Sequence, residues 1–262
     1  MNRQHTIFGH VNNVVLAYLQ RISVALVGME NGRPHAIGSG TCIEIGGRFF
    51  VATAEHVISP YSNENLLIVS RLERQDWTPR ILGRGEDSTL DVGWLELDAD
   101  VVGEMDRYFI PISKLRSFCH HVGQDIAVVH GFPRQFVDVD DAKMLLAVQP
   151  LCYGSTTLDT ADMPELIVSR DIYLPFPNED ITKSDGSPAP PVAAPGMSGG
   201  GIWSVNVNAD GVWSTESCRL IGIEHSWLRF KWVKGTQIQH WLQLLVRDLP
   251  ELSPYISEHD IA

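Results

Sequence analysis

Pro195-Gly196-Met197-Ser198-Gly199-Gly200-Gly201-Ile202-Trp203-Ser204-Val205-Asn206-Val207 is the stretch on which the fold turns, because it fits two architectures that differ in what surrounds the serine. Gly196 to Gly200 satisfies the G-x-S-x-G pattern of a nucleophile elbow. That elbow needs a strand leading in, a helix leading out, and an acid and a histidine later in the chain. Here the lead-in is Pro190-Pro191-Val192-Ala193-Ala194-Pro195, and the exit from Gly201 to Val207 alternates like a strand. Prolines remove ladder donors and restrict the residues before them, so the lead-in reads as loop. The elbow fails on context, and the serine belongs to a loop that feeds a β-strand. A serine hydroxyl is a poor nucleophile at neutral pH, so it needs a base to take its proton and a third group to hold that base. Glycines around it let the backbone turn sharply and aim N–H groups at a developing oxyanion.

Working outward, the chain reads as short β runs divided by turn signals. They fall at 22–27, 41–45, 48–52, 66–70, 92–97, 125–129 and 166–169 before the serine, then at 201–205 and 219–223. Gly46-Gly47 between the second and third runs is a hairpin signal. Strands without interposed helices indicate an all-β sandwich or barrel. Near the end Ile238, Trp241, Leu242, Leu245, Val246 and Leu249 share helical spacing. Thr236 with Gln239 is expected to form a capping box and Pro250 to stop that helix, which should pack on the barrels. The stretch 183–191 is a Pro-rich loop that runs into the serine segment, and a boundary between two halves is expected near Phe118 to Gln124.

The 262 residues are 44% hydrophobic and 20% charged, ordinary for a folded globular chain with room for a large core. Acidic residues outnumber basic ones, 32 against 20, for a formal charge of −12 without a Lys/Arg cluster. That disfavours nucleic acid and anionic lipid as partners, since both call for a basic footprint. The apolar run 13–19 is broken by Gln20 and Arg21, so neither a secretory signal nor a spanning helix is expected. Cys42, Cys119, Cys152 and Cys218 are scattered without a C-x-x-C pair, and only Cys119 has histidines beside it, His120 and His121. Reduced core thiols, no zinc and a cytoplasmic location are the expectation.

Two residues upstream complete the chemistry. His56 follows at once on the β run Phe50-Val51-Ala52-Thr53-Ala54-Glu55, and Asp91 opens the apolar strand Asp91-Val92-Gly93-Trp94-Leu95-Glu96-Leu97. Each alone reads as well as a satisfied histidine and a turn aspartate. The order His56, Asp91, Ser198 matches the chymotrypsin-type triad.

On these residues the chain resembles a trypsin-like (chymotrypsin-fold) serine peptidase of the compact bacterial kind. Thr53-Ala54-Glu55-His56-Val57 is similar to T-A-A-H-V around the family's base, Asp91-Val92-Gly93-Trp94-Leu95 to D-[IV]-A-x-L around its acid, and Gly196-Met197-Ser198-Gly199-Gly200 to G-[DN]-S-G-G. Val129-His130-Gly131-Phe132-Pro133 is similar to the G-[FY]-P element that opens the second barrel, and the matches span residue 20 to the C-terminal helix.

The resemblance implies two six-stranded antiparallel β-barrels and a C-terminal helix, with a first domain over 12–120 carrying His56 and Asp91 and a second over 121–250 carrying Ser198. It implies a serine endopeptidase working through an acyl-enzyme, with the N–H groups of Gly196 and Ser198 as oxyanion hole and no metal or cofactor. Met197 stands where the zymogen branch has an acid, so activation by N-terminal cleavage is not expected. Either the site is formed from the start or a partner orders it. Val192 occupies the pocket-floor position, six before the serine. By analogy Glu224 faces the primary pocket, favouring a Lys or Arg side chain in the substrate, and His225 backs onto the triad acid. The alternative is a strand glutamate turned to solvent. Partners are then a protein or peptide substrate and a regulatory protein, in a stress or defence system at the family level, with neither nucleic acid nor membrane. The rival readings are a catalytically silent barrel that binds peptides or a protein, and an esterase or acyltransferase on the same triad.

Overall fold

The computed structural model of the protein describes residues 14–69, 80–118, 126–140, 145–155, 167, 169–176, 193–205, 214–229 and 231–256. After a helical stretch over 14–21 (α1), the first half holds β1 (Ser23–Glu30), β2 (Arg33–Ile45), β3 (Arg48–Thr53), the single turn α2 (Glu55–Ile58), β4 (Leu66–Val69), β5 (Ile81–Asp87), β6 (Val92–Leu97), α3 (Ala99–Val102) and β7 (Ile110–Pro111). The second half holds β8 (Ile126–Gly131), β9 (Val137–Asp140), β10 (Leu145–Val148), β11 (Leu151–Ser155), β12 (Asp171–Pro175), β13 (Gly201–Val205), β14 (Cys218–Leu228), β15 (Trp232–Gln237) and the helix α4 (Ile238–Asp248).

Two curled sheets result, each with a six-strand antiparallel path. The first runs β4-β1-β2-β3-β6-β5, and β7 adds a seventh, parallel strand beside β2. The second runs β11-β8-β13-β14-β15-β12, with β9 and β10 as a separate hairpin. The all-β class, the six-strand sheets and the C-terminal helix agree with expectation. His56 and Asp91 belong to the first half and Ser198 to the second; the last strand of one sheet ends at Pro111 and the first of the other begins at Ile126. Most of the stretch 118–124 lies outside the described residues, as do Cys119, Ser70, Gln124, Val192 and the Pro-rich loop 183–191.

Turn chemistry explains the hairpins. Gly46 and Gly47 have φ of 61° and 78°, the paired left-handed conformation that matches strand twist in a two-residue turn. Asn31 and Gly32, with φ of 51° and 75°, make an equivalent turn between β1 and β2 that the sequence reading passed over.

Two local expectations fail. The run 166–169 is not a strand where it is described. The Ile167 carbonyl accepts from both Arg170 N and Asp171 N at 2.8 Å, closing a turn, and the strand starts at Asp171. The buried Asp171 carboxylate pairs with Arg170 at 2.7 Å and Lys234 at 3.5 Å, which anchors that start. The capping box is also absent. Thr236 lies in β15 and its hydroxyl donates to the Leu90 carbonyl at 2.7 Å, so Gln237 becomes the N-cap without a side-chain bond. Pairing of Thr236 with Asp171 and Ile223 keeps it in the strand, one residue short of the N-cap.

α4 buries Ile238, Trp241, Leu242, Leu244 and Leu245 in a core shared by both sheets, with Phe50 and Trp94 from the first and Val128, Trp203 and Leu220 from the second. After Leu249 the chain turns into a short 3-10 helix opened by Pro250. Trp241 Nε1 donates to the Gly93 carbonyl at 2.9 Å, and Trp94 Nε1 donates to Asp248 Oδ2 at 3.0 Å. The helix thus holds the strand that follows Asp91. Trp241→Phe, which removes this hydrogen bond, is expected to cost about 0.5–1.5 kcal/mol, read as a lower urea midpoint at unchanged slope. An unchanged midpoint would mean that this hydrogen bond does not tie the helix to the sheet.

Candidate active site

β3 ends at Thr53 and the chain closes one helical turn in which Val57 and Ile58 drive into the first core. Their burial turns His56 outward, its side chain 47% exposed. Asp91 is placed by a turn. Asp87 Oδ1 accepts from Thr89 N at 3.0 Å and Leu90 N at 3.1 Å, and Asp91 then takes φ of 50°, a region a short polar side chain tolerates and most residues avoid. Both Asp91 oxygens lie 3.0 Å from His56 Nδ1, and Oδ1 also accepts from the His56 backbone N–H at 3.2 Å. The carboxylate therefore fixes the ring from two sides. A carboxylate on Nδ1 keeps the proton there and leaves Nε2 as the basic nitrogen.

The hydrogen bond to Asp91 raises His56 above the ordinary imidazole range, more than burial lowers it. Burial pushes Asp91 upward, but its bonds to His56 outweigh that and hold the carboxyl below its usual range. A second imidazole faces the same carboxylate, with His225 Nδ1 3.5 Å from Asp91 Oδ2 and 3.1 Å from Ser226 Oγ. Burial lowers His225 to about 4, against the pull of Asp91, so it is neutral at pH 7.

Ser198 stands on a loop pinned by backbone contacts from both sheets. Gly199 N donates to Glu224 O at 2.7 Å and Glu224 N to Gly200 O at 2.8 Å, joining the loop to β14. Ser39 N donates to Ser198 O at 2.8 Å, joining it to β2. The Ser39 hydroxyl donates to Gly196 O and accepts from Phe132 N, both at 2.8 Å, while Thr53 Oγ1 donates to Ser39 O at 2.7 Å. Gly196 and Gly199 have φ of 97° and 88°. A Cβ on Gly199 would stand 2.1 Å from Ser39 O, so only glycine fits there.

The N–H groups of Met197, Gly199 and Gly200 are all engaged, whereas those of Gly196 and Ser198 meet no acceptor among the described residues. Arg134 N draws the Pro195 carbonyl to it at 2.8 Å. In a planar trans peptide the Gly196 N–H must then point the opposite way. The Ser198 hydroxyl lies 3.5 Å from the His225 carbonyl, and no hydrogen bond joins it to His56 among the described residues.

Of the specificity residues, Val192 lies outside the described residues. Glu224 is 1% exposed and its Oε2 has no partner, which overturns the solvent-facing alternative. Burial, and then the nearby Asp91, push its carboxyl well above the usual range. Ser39 was missed in the sequence, where the one signal was the run Gly38-Ser39-Gly40 inside a strand. Among the described residues no group of three His, Cys, Asp or Glu side chains could hold a metal ion, and no helix is long and apolar enough to cross a membrane.

No protein-family model matches the chain, and no curated protein matches it. Among solved structures it is similar to the scabies mite inactivated protease paralogue S-I1, with a TM-score of 0.55 and 13% identity over 90% of this chain and 96% of that one. The likeness makes the architecture chymotrypsin-like.

Proposed function

We propose that the protein is a serine endopeptidase in which Ser198 is the nucleophile, His56 the general base and acid, and Asp91 the residue that orients His56. The observation that carries this reading is the pairing of His56 Nδ1 with both Asp91 oxygens at 3.0 Å, on the half of the molecule that the serine loop is tied to through Ser39. In the reaction Ser198 Oγ attacks a peptide carbonyl while His56 Nε2 takes its proton and then delivers it to the leaving amine. Water repeats the cycle on the acyl-enzyme. The N–H groups of Gly196 and Ser198, which meet no acceptor among the described residues, bind the oxyanion; one such donor is worth about 10²- to 10³-fold in turnover. Labelling of Ser198 by a fluorophosphonate, absent in His56→Ala, tests the assignment.

A second reading, a silent barrel that binds peptides or a protein, is favoured by one observation: the Ser198 hydroxyl leans toward the His225 carbonyl and not toward His56. Failure of the folded protein to react with the probe, alone or with its protein partners, would decide for it. Labelling only with a partner would support a regulated effector, in keeping with a cytoplasmic protease that a second protein switches on.

Glu224 supports a preference for a cationic side chain before the scissile bond. Its unpartnered carboxyl is buried one residue from the His225 carbonyl that Ser198 approaches, and a buried acid gains most from a cation that ionises it. Peptide libraries should be cut after Lys or Arg, and Glu224→Gln should lower that preference at least about tenfold through KM. Equal cleavage after Leu or Phe would reject it.

A further inference from the structure

The serine loop lies between a strand of each half. β14 flanks it at Glu224, whose backbone N–H and carbonyl bond Gly200 and Gly199, and β2 flanks it at Ser39, whose N–H bonds the Ser198 carbonyl. The glycine before Ser39 lets β2 come this close. A Cβ on Gly38 would stand 2.5 Å from the Val57 side chain and 2.8 Å from Ser198 O. Residues 36–39 of β2 thus run between the turn that carries His56 and the loop that carries Ser198. With Glu224 on the side of the residue before the scissile bond, the leaving segment, whose amine His56 protonates, passes on the β2 side.

Arg134 reaches that side from the other half. It opens the 3-10 turn Arg134–Phe136 that follows β8. Its N–H holds Pro195 O at 2.8 Å, and a Cβ on Gly196 would stand 2.6 Å from that nitrogen, so the residue is rooted directly behind the peptide that presents the Gly196 N–H. Its side chain then crosses to the first half. β2 carries an extra residue, Ile37, between the pairs Leu26–Gly38 and Val27–Ala36, and at this bulge the Ala36 carbonyl accepts from Arg134 Nε at 3.3 Å. Beyond it stands Tyr61, packed on Gly28 and Ile37, with Oη 2.9 Å from His35 Nε2.

Arg134 is exposed, and among the described residues Nη1 and Nη2 have no partner. With Nε tied to β2, the end-on pair of nitrogens is left, an edge that grips a carboxylate by two parallel bonds. The tie also holds the stem, so less side-chain freedom is lost on binding. An extended substrate alternates its side chains and advances about 3.3 Å per residue. When the residue before the bond turns inward, the first one after it turns away and the second turns inward again, about 7 Å along the chain and within reach of an arginine rooted behind Gly196.

We propose that Arg134 is a specificity-determining residue that pairs with an acidic side chain, Glu or Asp, at the second position after the scissile bond. The direction of the bound chain rests on the peptidase reading, whereas the free guanidinium edge and its tether to β2 do not. The substrate class is then a segment with a basic residue before the bond and an acidic one two places after it.

The test uses two peptide series, with Arg or Leu before the bond, that differ only in Glu, Gln or Lys at the second position after it. Hydrolysis by the full chain is read for each, and binding of the same peptides to Ser198→Ala by fluorescence polarisation. Glu should be favoured over Gln about fivefold, through KM and in Kd, with the ratio shrinking as sodium chloride is raised. Arg134→Gln should bring that ratio to about one, Arg134→Lys should keep part of it, and Arg134→Glu should put Lys ahead of Glu. Each value is a ratio within one variant, so a loss common to all peptides cancels. Cleavage that treats Glu and Gln alike, or a Glu preference that survives in Arg134→Glu, would overturn the inference and leave the peptidase standing. Peptides that stay uncut yet bind with a Glu preference that Arg134→Glu reverses would keep Arg134 as the reader and discard the peptidase. Peptides neither cut nor bound would overturn both.

Discussion

Ser198→Ala is expected to reduce peptide hydrolysis by about 10⁶-fold, to abolish fluorophosphonate labelling, and to leave the urea midpoint where it was. The drop is large because nucleophile, base and orienting acid act as one unit, so losing the oxygen leaves only what substrate binding and the free N–H groups provide. Stability should be unaffected because the hydroxyl makes one contact, at 3.5 Å, with the His225 carbonyl. The loop is held by backbone bonds from Ser39, Glu224 and Arg134 that alanine keeps. Retained hydrolysis in the variant would assign the nucleophile elsewhere. A shifted midpoint with full activity would reduce Ser198 to a structural residue.

Asp91→Asn is expected to lower kcat/KM by about 10⁴-fold at pH 7 and to move the acid limb of its pH profile downward. His56 must be neutral to accept the serine proton, and its pKa in the protein is raised, chiefly by the hydrogen bond to Asp91. Activity of the parent should therefore fall off below an inflection above pH 6.5. Removing the carboxylate deletes the main effect that raises the imidazole and leaves burial, which lowers it, against the smaller upward pull of Glu55, so the variant's inflection drops. An inflection that does not move would show that Asp91 does not face the catalytic base in solution.

The same pair sets a pH window for stability. His56 has a raised pKa, so its contribution is complete below the unfolded imidazole value and is lost as pH climbs through the folded one. Asp91 has a depressed pKa, so its contribution is present above the unfolded carboxyl value and is lost as pH falls through the folded one. The ion pair is strongest between about pH 4 and 6.5. With the His56 side chain nearly half exposed, solvent screening keeps the effect small beside the catalytic one.

Covalent neighbours made some of this legible in the chain itself. Gly46-Gly47 announces its hairpin because two consecutive left-handed residues need glycine, and the apolar stripe from Ile238 to Leu245 announces its helix because packing follows a 3.6-residue period. The strand exit after Ser198 excluded the elbow for a similar local reason. Asn31-Gly32 was equally readable and was overlooked. Thr236 and Gln239 fit a capping box in every local respect and failed, because Thr236 is held in the sheet by pairing with Asp171 and Ile223, far away in the chain, and the helix begins one residue later.

By itself, then, the order of residues determined an all-β chain with a histidine, an aspartate and a glycine-flanked serine at strand ends, since period, turn chemistry and motif are properties of adjacent residues. Only the tertiary structure decided that Asp91 faces two imidazoles, that Ser39 braces the Gly196 peptide from the opposite sheet, and that Glu224 is sealed from water. Each of those depends on strands far apart in sequence closing on one another, and burial, which sets the charge of every group there, exists only after they have closed.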